Sequence, residues 1–413
     1  MFENTTQRPQ RVLLAAVDTG EYDVEASLDE LAELTQTAGG EVVGRISQKR
    51  ASFEPATCMG SGRLEEMREF AHNFEVELII FDHELTAAQL KNIEAACDCA
   101  VIDRTMLILD IFAARANTSE GRLQVELAQQ RYRLPRLMGL GTSLSRLGGG
   151  IGTRGPGETK LESDRRHIRG RIQALEEKLQ EMESRRERMR QRRKKDGVST
   201  VAIVGYTNVG KSTLLNHLTQ AGVLAEDKLF ATLDPTARAL LLPDGRSVML
   251  IDTVGLVRRL PHHLVEAFKS TLEEAVAADL ILNVCDISSP DAQTQVAVTR
   301  DLLAQLGVTD TPVITVLNKA DLLAQLPLGF GRDTVAISAK TGHGVSKLLE
   351  VIAETLPPGR MRARLLVPYS EGGVENRIAR NGQILEREYR ADGLYLDALV
   401  DHRDVAQVEQ YFI

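Results

Sequence analysis

Between residues 11 and 117 the chain alternates short apolar runs with helical patterns. The runs fall at 12–17, 41–46, 76–81 and 100–102, while 27–38 and 63–74 repeat apolar residues at helical spacing. Such alternation predicts parallel strands covered by helices, hence a small α/β domain over residues 1–117. From 118 to 196 the period changes to a heptad-like stripe. Leu123, Leu127, Leu134 and Leu137 mark a first arm, with Gln130 interrupting; Ile168, Ile172, Leu175, Leu179, Met182 and Met189 mark a second. Two stripes of this kind bury each other as a long antiparallel helical hairpin. Its tip, residues 139–157, carries Gly139, Gly141, Gly148, Gly149, Gly150, Gly152, Gly155 and Gly157, too many to bury a core. Thr159-Lys-Leu-Glu162 then fits a capping box that restarts the helix.

A second strand–helix alternation fills residues 197–358. Leu356-Pro-Pro-Gly359 punctuates its end, and residues 359–413 read as a small α+β domain with strands at 365–368, 384–389 and 394–399. The expected architecture is therefore α/β in class. A mostly parallel, doubly wound domain over 197–358 is preceded by the small α/β domain and the hairpin, and followed by the α+β tail.

Composition narrows the classes. With 43% hydrophobic and 26% charged residues the chain is ordinary globular protein. It has no tryptophan, four scattered cysteines, a polar stretch over residues 1–10 and no run approaching the ~20 apolar residues of a membrane span. A cytoplasmic, in part membrane-associated, monomeric protein without membrane insertion is expected. Cys97-Asp-Cys99 lacks a second ligand pair at zinc spacing, so Cys97 reads as a helix-end core residue. The Gly60-Ser-Gly-Arg63 turn could hold a phosphate on its backbone, but one glycine-rich turn is weak evidence.

Charge changes the picture more. The net charge is −8, yet residues 122–195 hold 20 Lys or Arg against nine Asp or Glu, leaving −19 for the rest. A charge run is ordinarily a solvated helical face; a one-signed excess of this extent also suits a polyanion. Arg136, Arg146, Arg154 and Lys160 around the tip, with the basic helix 165–195, are the candidate nucleic-acid contacts.

The apolar run 201–204 leads at once into Gly205, Tyr206, Thr207, Asn208, Val209, Gly210, Lys211 and Ser212, and Thr213 continues into a helical pattern. This is the phosphate-binding loop G-x-x-x-x-G-K-S in its strand–loop–helix setting. Its N–H groups would cradle phosphates, Lys211 would neutralise the β- and γ-phosphates, and Ser212 would ligate Mg²⁺. Downstream, Thr232 would complete the Mg²⁺ coordination, with Thr236 as the competing candidate. The run 248–251 delivers Asp252, Thr253, Val254 and Gly255: Asp252 would hold a Mg²⁺-bound water, and the Gly255 N–H the γ-phosphate.

Asn318, Lys319 and Asp321 follow the run 313–317, and the Asp321 carboxylate can accept from guanine N1–H and N2–H₂, donors adenine lacks. Ser338, Ala339 and Lys340 would contact the base through backbone N–H. Five elements in order point to a guanine-nucleotide domain binding GTP, GDP and Mg²⁺, with Lys211, Thr232 and Gly255 as its catalytic set. Many GTPases carry Gln after the Asp-x-x-Gly to orient water; Leu256 stands there and cannot, so intrinsic hydrolysis is expected to be slow and partner-dependent. Arg258 and Arg259 could stabilise charge or touch RNA, and His262-His263 reads as solvated.

The segment Gly148-Gly-Gly-Ile-Gly-Thr-Arg-Gly-Pro-Gly-Glu-Thr-Lys-Leu-Glu-Ser-Asp-Arg-Arg166 resembles the signature loop of the HflX GTPases. Phe230-Ala-Thr-Leu-Asp-Pro-Thr236 and Asp252-Thr-Val-Gly-Leu-Val-Arg-Arg-Leu-Pro261 resemble their switch regions. The resemblance runs from about residue 11 to the C-terminus. It implies a factor that binds the large ribosomal subunit and splits stalled or idle ribosomes, notably under heat stress, with the tip near the peptidyl-transferase region. The family commonly has Phe where this chain has Leu256, which puts any packing role of that ring in doubt. The competing expectations are a nucleotide-fuelled RNA remodeller working through the N-terminal domain, and an assembly scaffold for which hydrolysis is dispensable.

Overall fold

In the computed structural model, the residues described are 8–144, 156–195, 198–219, 230, 236–259, 274–308, 310–323, 333–356 and 359–413. They fall into two compact units. The first comprises residues 1–180, 227–233 and 257–269; the second comprises 181–226, 234–256 and 270–413.

The first unit begins with β1 (Gln10–Asp18), α1 (Val24–Thr37), β2 (Gly40–Lys49), α2 (Ser61–Asn73), β3 (Leu78–Phe81), α3 (Ala87–Cys97), β4 (Ala100–Asp103) and α4 (Arg104–Arg115). The strands form a parallel sheet in the order β2-β1-β3-β4. Leu13, Ala15 and Val17 of β1 meet Ile79 and Phe81 of β3, with Met67, Ile93 and Cys97 from the covering helices, in one buried cluster. Cys97 thus ends α3 inside the core, and burial pushes its thiol up to about 11. Helix starts follow capping chemistry: the Asp23 carboxylate accepts from Ala26 N–H, and Thr86 with Gln89 forms a reciprocal capping box. At Gly60 the α2 N-cap has no side-chain cap bond; its N–H donates to Gln48 Oε1.

The two long helices are α5 (Ser119–Leu144) and α6 (Pro156–Lys195). Because α6 starts at Pro156, a residue suited to a first helical position, Thr159 stands inside the helix rather than at its cap. Bonds from Arg171 to Glu126 and from Arg131 to Glu176 tie the two helices together. On α6 the expected stripe is only partly followed: Leu175 is buried and Ile168, Ile172, Leu179 and Met182 half-buried, but Met189 is 57% exposed. From there the sheltered face passes to Arg186 and Arg190. On α5 the buried hydrophobic residues are Val125, Leu127, Ala128 and Tyr132 rather than Leu134 and Leu137. The reason is that α5 packs on α3 and α4 as well as facing α6.

The second unit contains β5 (Thr200–Gly205), α7 (Lys211–Thr219), β6 (Thr236–Leu241), β7 (Ser247–Asp252), β8 (Leu280–Asp286), α8 (Ala292–Gln305), β9 (Val313–Asn318), β10 (Thr334–Ala336) and α9 (Val345–Thr355). Its sheet has the order β10-β9-β8-β5-β7-β6, parallel except where β6 runs against β7. Near-continuous apolar strands such as β5 and β8 are what a sheet covered on both faces requires. The chain ends with β11 (Arg360–Val367), α10 (Gly372–Asn381), β12 (Gln383–Arg390), β13 (Gly393–Asp401) and α11 (His402–Val408), the strands forming an antiparallel β11-β13-β12 sheet. This C-terminal layer grips the turn between β6 and β7: His402 Nε2 donates to the Asp244 carbonyl at 2.5 Å. From the other side of that turn Arg246 donates to the Ala353 carbonyl on α9. Among the described residues no helix is long and apolar enough to cross a membrane.

Candidate functional site

The phosphate loop leaves the C-terminal end of β5, between β7 and β8, and feeds α7. In an open α/β sheet this is where ligands bind, because the strand order diverges there and the helix N-terminus presents free N–H groups. Gly210 adopts φ +93°, and a Cβ there would sit 2.3 Å from Asn318 Nδ2. Only glycine lets the loop lie against the guanine-side strand this closely. Asn318 in turn donates from Nδ2 to the Val209 carbonyl (2.7 Å) and accepts from Ala339 N–H at Oδ1 (2.9 Å). A single buried amide thus joins three of the elements expected from sequence.

Lys211 opens α7 and is buried, its Nζ donating to the carbonyls of Gly205 (3.1 Å) and Tyr206 (2.6 Å). Burial lowers its amine from 10.5 to about 8, against the opposing pull of Asp252. Ser212 Oγ donates to Asp252 Oδ2 at 2.9 Å. The two groups expected to hold Mg²⁺ are therefore already adjacent, a hydroxyl and a carboxylate oxygen of the hard type that cation prefers. Thr253 is turned inward, its hydroxyl on the Ile203 carbonyl (2.7 Å), and Val254 is buried. Lys319 pairs with Asp286 at 2.6 Å, Asp321 is exposed on the short turn after β9, and Ser338 is buried with Lys340 exposed beside it. Thr232 lies outside the described residues, whereas Thr236 opens β6 in register with Asp252.

Leu256 is 6% exposed and belongs to the same apolar cluster as Tyr206 and Val209. Its N–H donates to the Gly205 carbonyl (3.0 Å), and its carbonyl accepts from Thr207 N–H (2.8 Å).

Residues 257–259 belong to the first unit, and there the structure adds a network that no motif announced. Arg104 donates to Asp82 (2.9 Å), Glu30 and the Arg258 carbonyl (3.1 Å), while the Arg258 N–H donates to Glu30 (3.1 Å). Arg259 donates to Asp82 (2.8 Å) and stacks on Tyr22 at 3.8 Å. Burial raises the Glu30 carboxyl against the pull of Arg104 and Arg258, and lowers His83, behind this cluster, to about 4. Phe230, 2% exposed, packs edge-on to Phe112 with ring centroids 4.5 Å apart. These contacts link positions far apart in sequence, which local spacing cannot show.

Of the expected RNA contacts, Arg136 is turned into the first unit. It donates to Asp103 (3.0 Å) and the Leu85 carbonyl (2.8 Å) and stacks on Tyr132. Its guanidinium is thereby committed to the protein, since withdrawing it would take the cation from buried Asp103, whose other partners are the neutral N–H groups of Leu85 and Met106 and the Tyr132 hydroxyl. Arg146, Arg154 and His262-His263 lie outside the described residues; Lys160 lies on α6. Arg166 and Arg169 are exposed on α6.

Comparison with known proteins gives a consistent match. Residues 25–113 match the family described as "GTP-binding GTPase N-terminal", 115–193 "GTP-binding GTPase Middle Region", and 200–319 "50S ribosome-binding GTPase". The chain is 53% identical over 399 residues to the GTPase HflX of Caldanaerobacter subterraneus subsp. tengcongensis, covering 97% of this chain and 93% of that one. It is 42% identical over 395 residues to the GTPase HflX of Escherichia coli K12, covering 94% and 92%. Among solved structures, a GTP-binding protein from Sulfolobus solfataricus in complex with GDP is 22% identical with a TM-score of 0.45, covering 84% of this chain and 98% of that one.

Proposed function

Because the chain belongs to the HflX family of GTPases, and so is a GTP hydrolase with a ribosome-binding type of G domain, we propose that it binds the large ribosomal subunit and dissociates stalled or idle ribosomes. Hydrolysis in this reading is slow in the free protein and stimulated by the subunit. The observation that carries it is Leu256, apolar and packed beside Tyr206 where a water-orienting side chain would be needed. Without a polar end it leaves the attacking water unplaced, and a docking partner has to supply the missing order.

The chain's own residues divide the work. Lys211 and the loop N–H groups hold the phosphates, Gly255 N–H meets the γ-phosphate, and Asp321 with the backbone of Ala339 and Lys340 reads guanine. Ser212, Asp252 and Thr232 would hold Mg²⁺, which when bound neutralises charge on the β- and γ-phosphate oxygens. Exposed arginines of α6, Arg166 and Arg169 among them, would supply cations for rRNA phosphates, and the tip 139–157 would reach toward the peptidyl-transferase region.

The test is phosphate release from GTP and, separately, from ATP, with and without large subunits. A GTP rate rising by orders of magnitude only with the subunit supports the proposal. A rate indifferent to the subunit, or faster with ATP, overturns it in favour of an RNA remodeller.

A further inference from the structure

The Gly255-Leu256 backbone lies against the phosphate loop in a manner that hydrolysis alone does not require. Leu256 extends β5 by an isolated parallel bridge with Tyr206, closed by two hydrogen bonds: Leu256 N–H to the Gly205 carbonyl (3.0 Å) and Thr207 N–H to the Leu256 carbonyl (2.8 Å). The buried side chain, a member of the same apolar cluster as Tyr206, Val209 and Leu214, holds this bridge in place. Just before it, Gly255 is pressed into the loop. A Cβ on Gly255 would lie 2.6 Å from Thr207 Cγ2 and 3.1 Å from Lys211 Nζ. Lys211 Nζ itself is turned onto the Gly205 and Tyr206 carbonyls.

A diphosphate needs the N–H groups of the loop beyond Thr207 and the start of α7, where the two bridge bonds take up no donor; Thr207 N–H is the one loop donor they hold. A third phosphate needs the space beside Lys211 Nζ and Thr207, and there the Gly255 backbone stands. We infer that Leu256 is a latch that makes the protein select GDP over GTP, so that a triphosphate is accepted only after the two bridge bonds break and the leucine leaves its pocket. Leu256 therefore acts as a specificity-determining residue through the backbone it pins, touching neither nucleotide. The free energy needed to open the latch is withdrawn from triphosphate binding and not from diphosphate binding, which is how a ligand-state preference arises from a conformational equilibrium. This assignment needs the guanine-nucleotide site alone and not the ribosomal partner, so it stands or falls separately.

The experiment compares affinities of the full-length protein for fluorescent GDP and for a non-hydrolysable fluorescent GTP analogue in Mg²⁺ buffer. The wild type is expected to bind GDP about tenfold or more tightly than the analogue, two backbone bonds and one buried leucine being at stake. Leu256→Ala is expected to narrow that ratio to about threefold or less by strengthening analogue binding, while Leu256→Met keeps it. A merely structural role would weaken both nucleotides together, and that outcome, or an unchanged ratio, overturns the latch. Amide exchange on the wild type supplies a reading that depends on no variant. The Leu256 N–H should be protected with GDP and exchange faster with the analogue; equal protection in both states overturns the inference.

Discussion

Arg190 near the end of α6 donates to Glu274 at 3.1 Å, and both groups are largely buried. The pair fastens the last turns of the basic helix to the residue that follows the 260–273 stretch, close to where Thr200 N–H donates to Asp279 and β5 begins. Arg190 thus belongs to the G domain's own structure, although sequence alone counts it among the polyanion-binding arginines of 165–195.

Replacing either residue removes a charged partner from a mostly buried charge. Arg190→Ala and Glu274→Ala are each expected to lower stability by about 1–3 kcal/mol. The charge-exchanged double variant Arg190→Glu/Glu274→Arg should recover at least half of that deficit. Thermal melts of the three proteins and the wild type decide it: a double variant as unstable as the sum of the singles would mean that the pair contributes nothing as a pair.

Lys211 is expected to make nucleotide binding pH-dependent in a definite direction. In the fold its amine releases its proton at about 8, whereas in the unfolded chain it does so near 10.5. Between those values the unfolded chain binds more protons, so this group's contribution to stability grows more favourable as pH rises. Phosphate favours the ammonium form, so nucleotide affinity should move oppositely and fall above about pH 8. Calorimetry of GDP binding at about pH 8.5, just above that value, in buffers of different ionisation enthalpy should show proton uptake. Binding without uptake would show that Lys211 is already fully charged.

Asp321 stands exposed on the turn after β9. Asp321→Asn replaces two charge-assisted acceptor bonds with a mismatched amide, and GTP affinity is expected to fall at least about 100-fold. Xanthosine triphosphate, whose base offers an acceptor where guanine offers a donor, should bind the variant better than GTP does. Competition binding of the two nucleotides checks this, and an unaltered GTP preference would remove Asp321 from the base site.

The arginines divide by environment. Arg166→Glu/Arg169→Glu on the exposed face of α6 should weaken large-subunit binding and reduce the salt-dependence slope by about one for each phosphate that is no longer neutralised, with GDP affinity unchanged. Arg136→Ala should instead destabilise the first unit by about 2 kcal/mol or more, because it strips Asp103 of a partner. Subunit co-sedimentation across a salt series and thermal melts separate the two. Equal behaviour of the exposed and the inward arginines would contradict the division.

What can be read from sequence follows from how local the controlling physics is. The phosphate loop, Asp252–Gly255 and Asn318–Asp321 each sit at the end of an apolar strand, so spacing along the chain fixes their place, and β5, β7 and β9 deliver them together. The parallel order of β1, β3 and β4 likewise follows from alternation. What stays hidden depends on contacts between distant residues. Arg259 and Asp82 are 177 positions apart, and nothing beside either one signals the other. Leu256 is legible as a missing polar group but not as a packed strand extension. On α6 the heptad spacing points to Met189, yet the partner surface changes along the helix and Arg190 takes the sheltered position.

The grip of His402 on the β6–β7 turn bears on the order in which the molecule is completed. Asp244 is made long before His402, 158 residues earlier, and every expected nucleotide-binding element is in place by Lys340. A chain still being synthesised can therefore finish its G-domain sheet, and fasten that turn through Arg246 and Ala353, before His402 reaches it, since domains generally fold as units in the order they emerge. His402 then adds its hold to that of Arg246. A truncation just before His402 would accordingly act as a chain arrested one step short of maturity, with its G-domain sheet built and the β6–β7 turn held by Arg246 without its second grip.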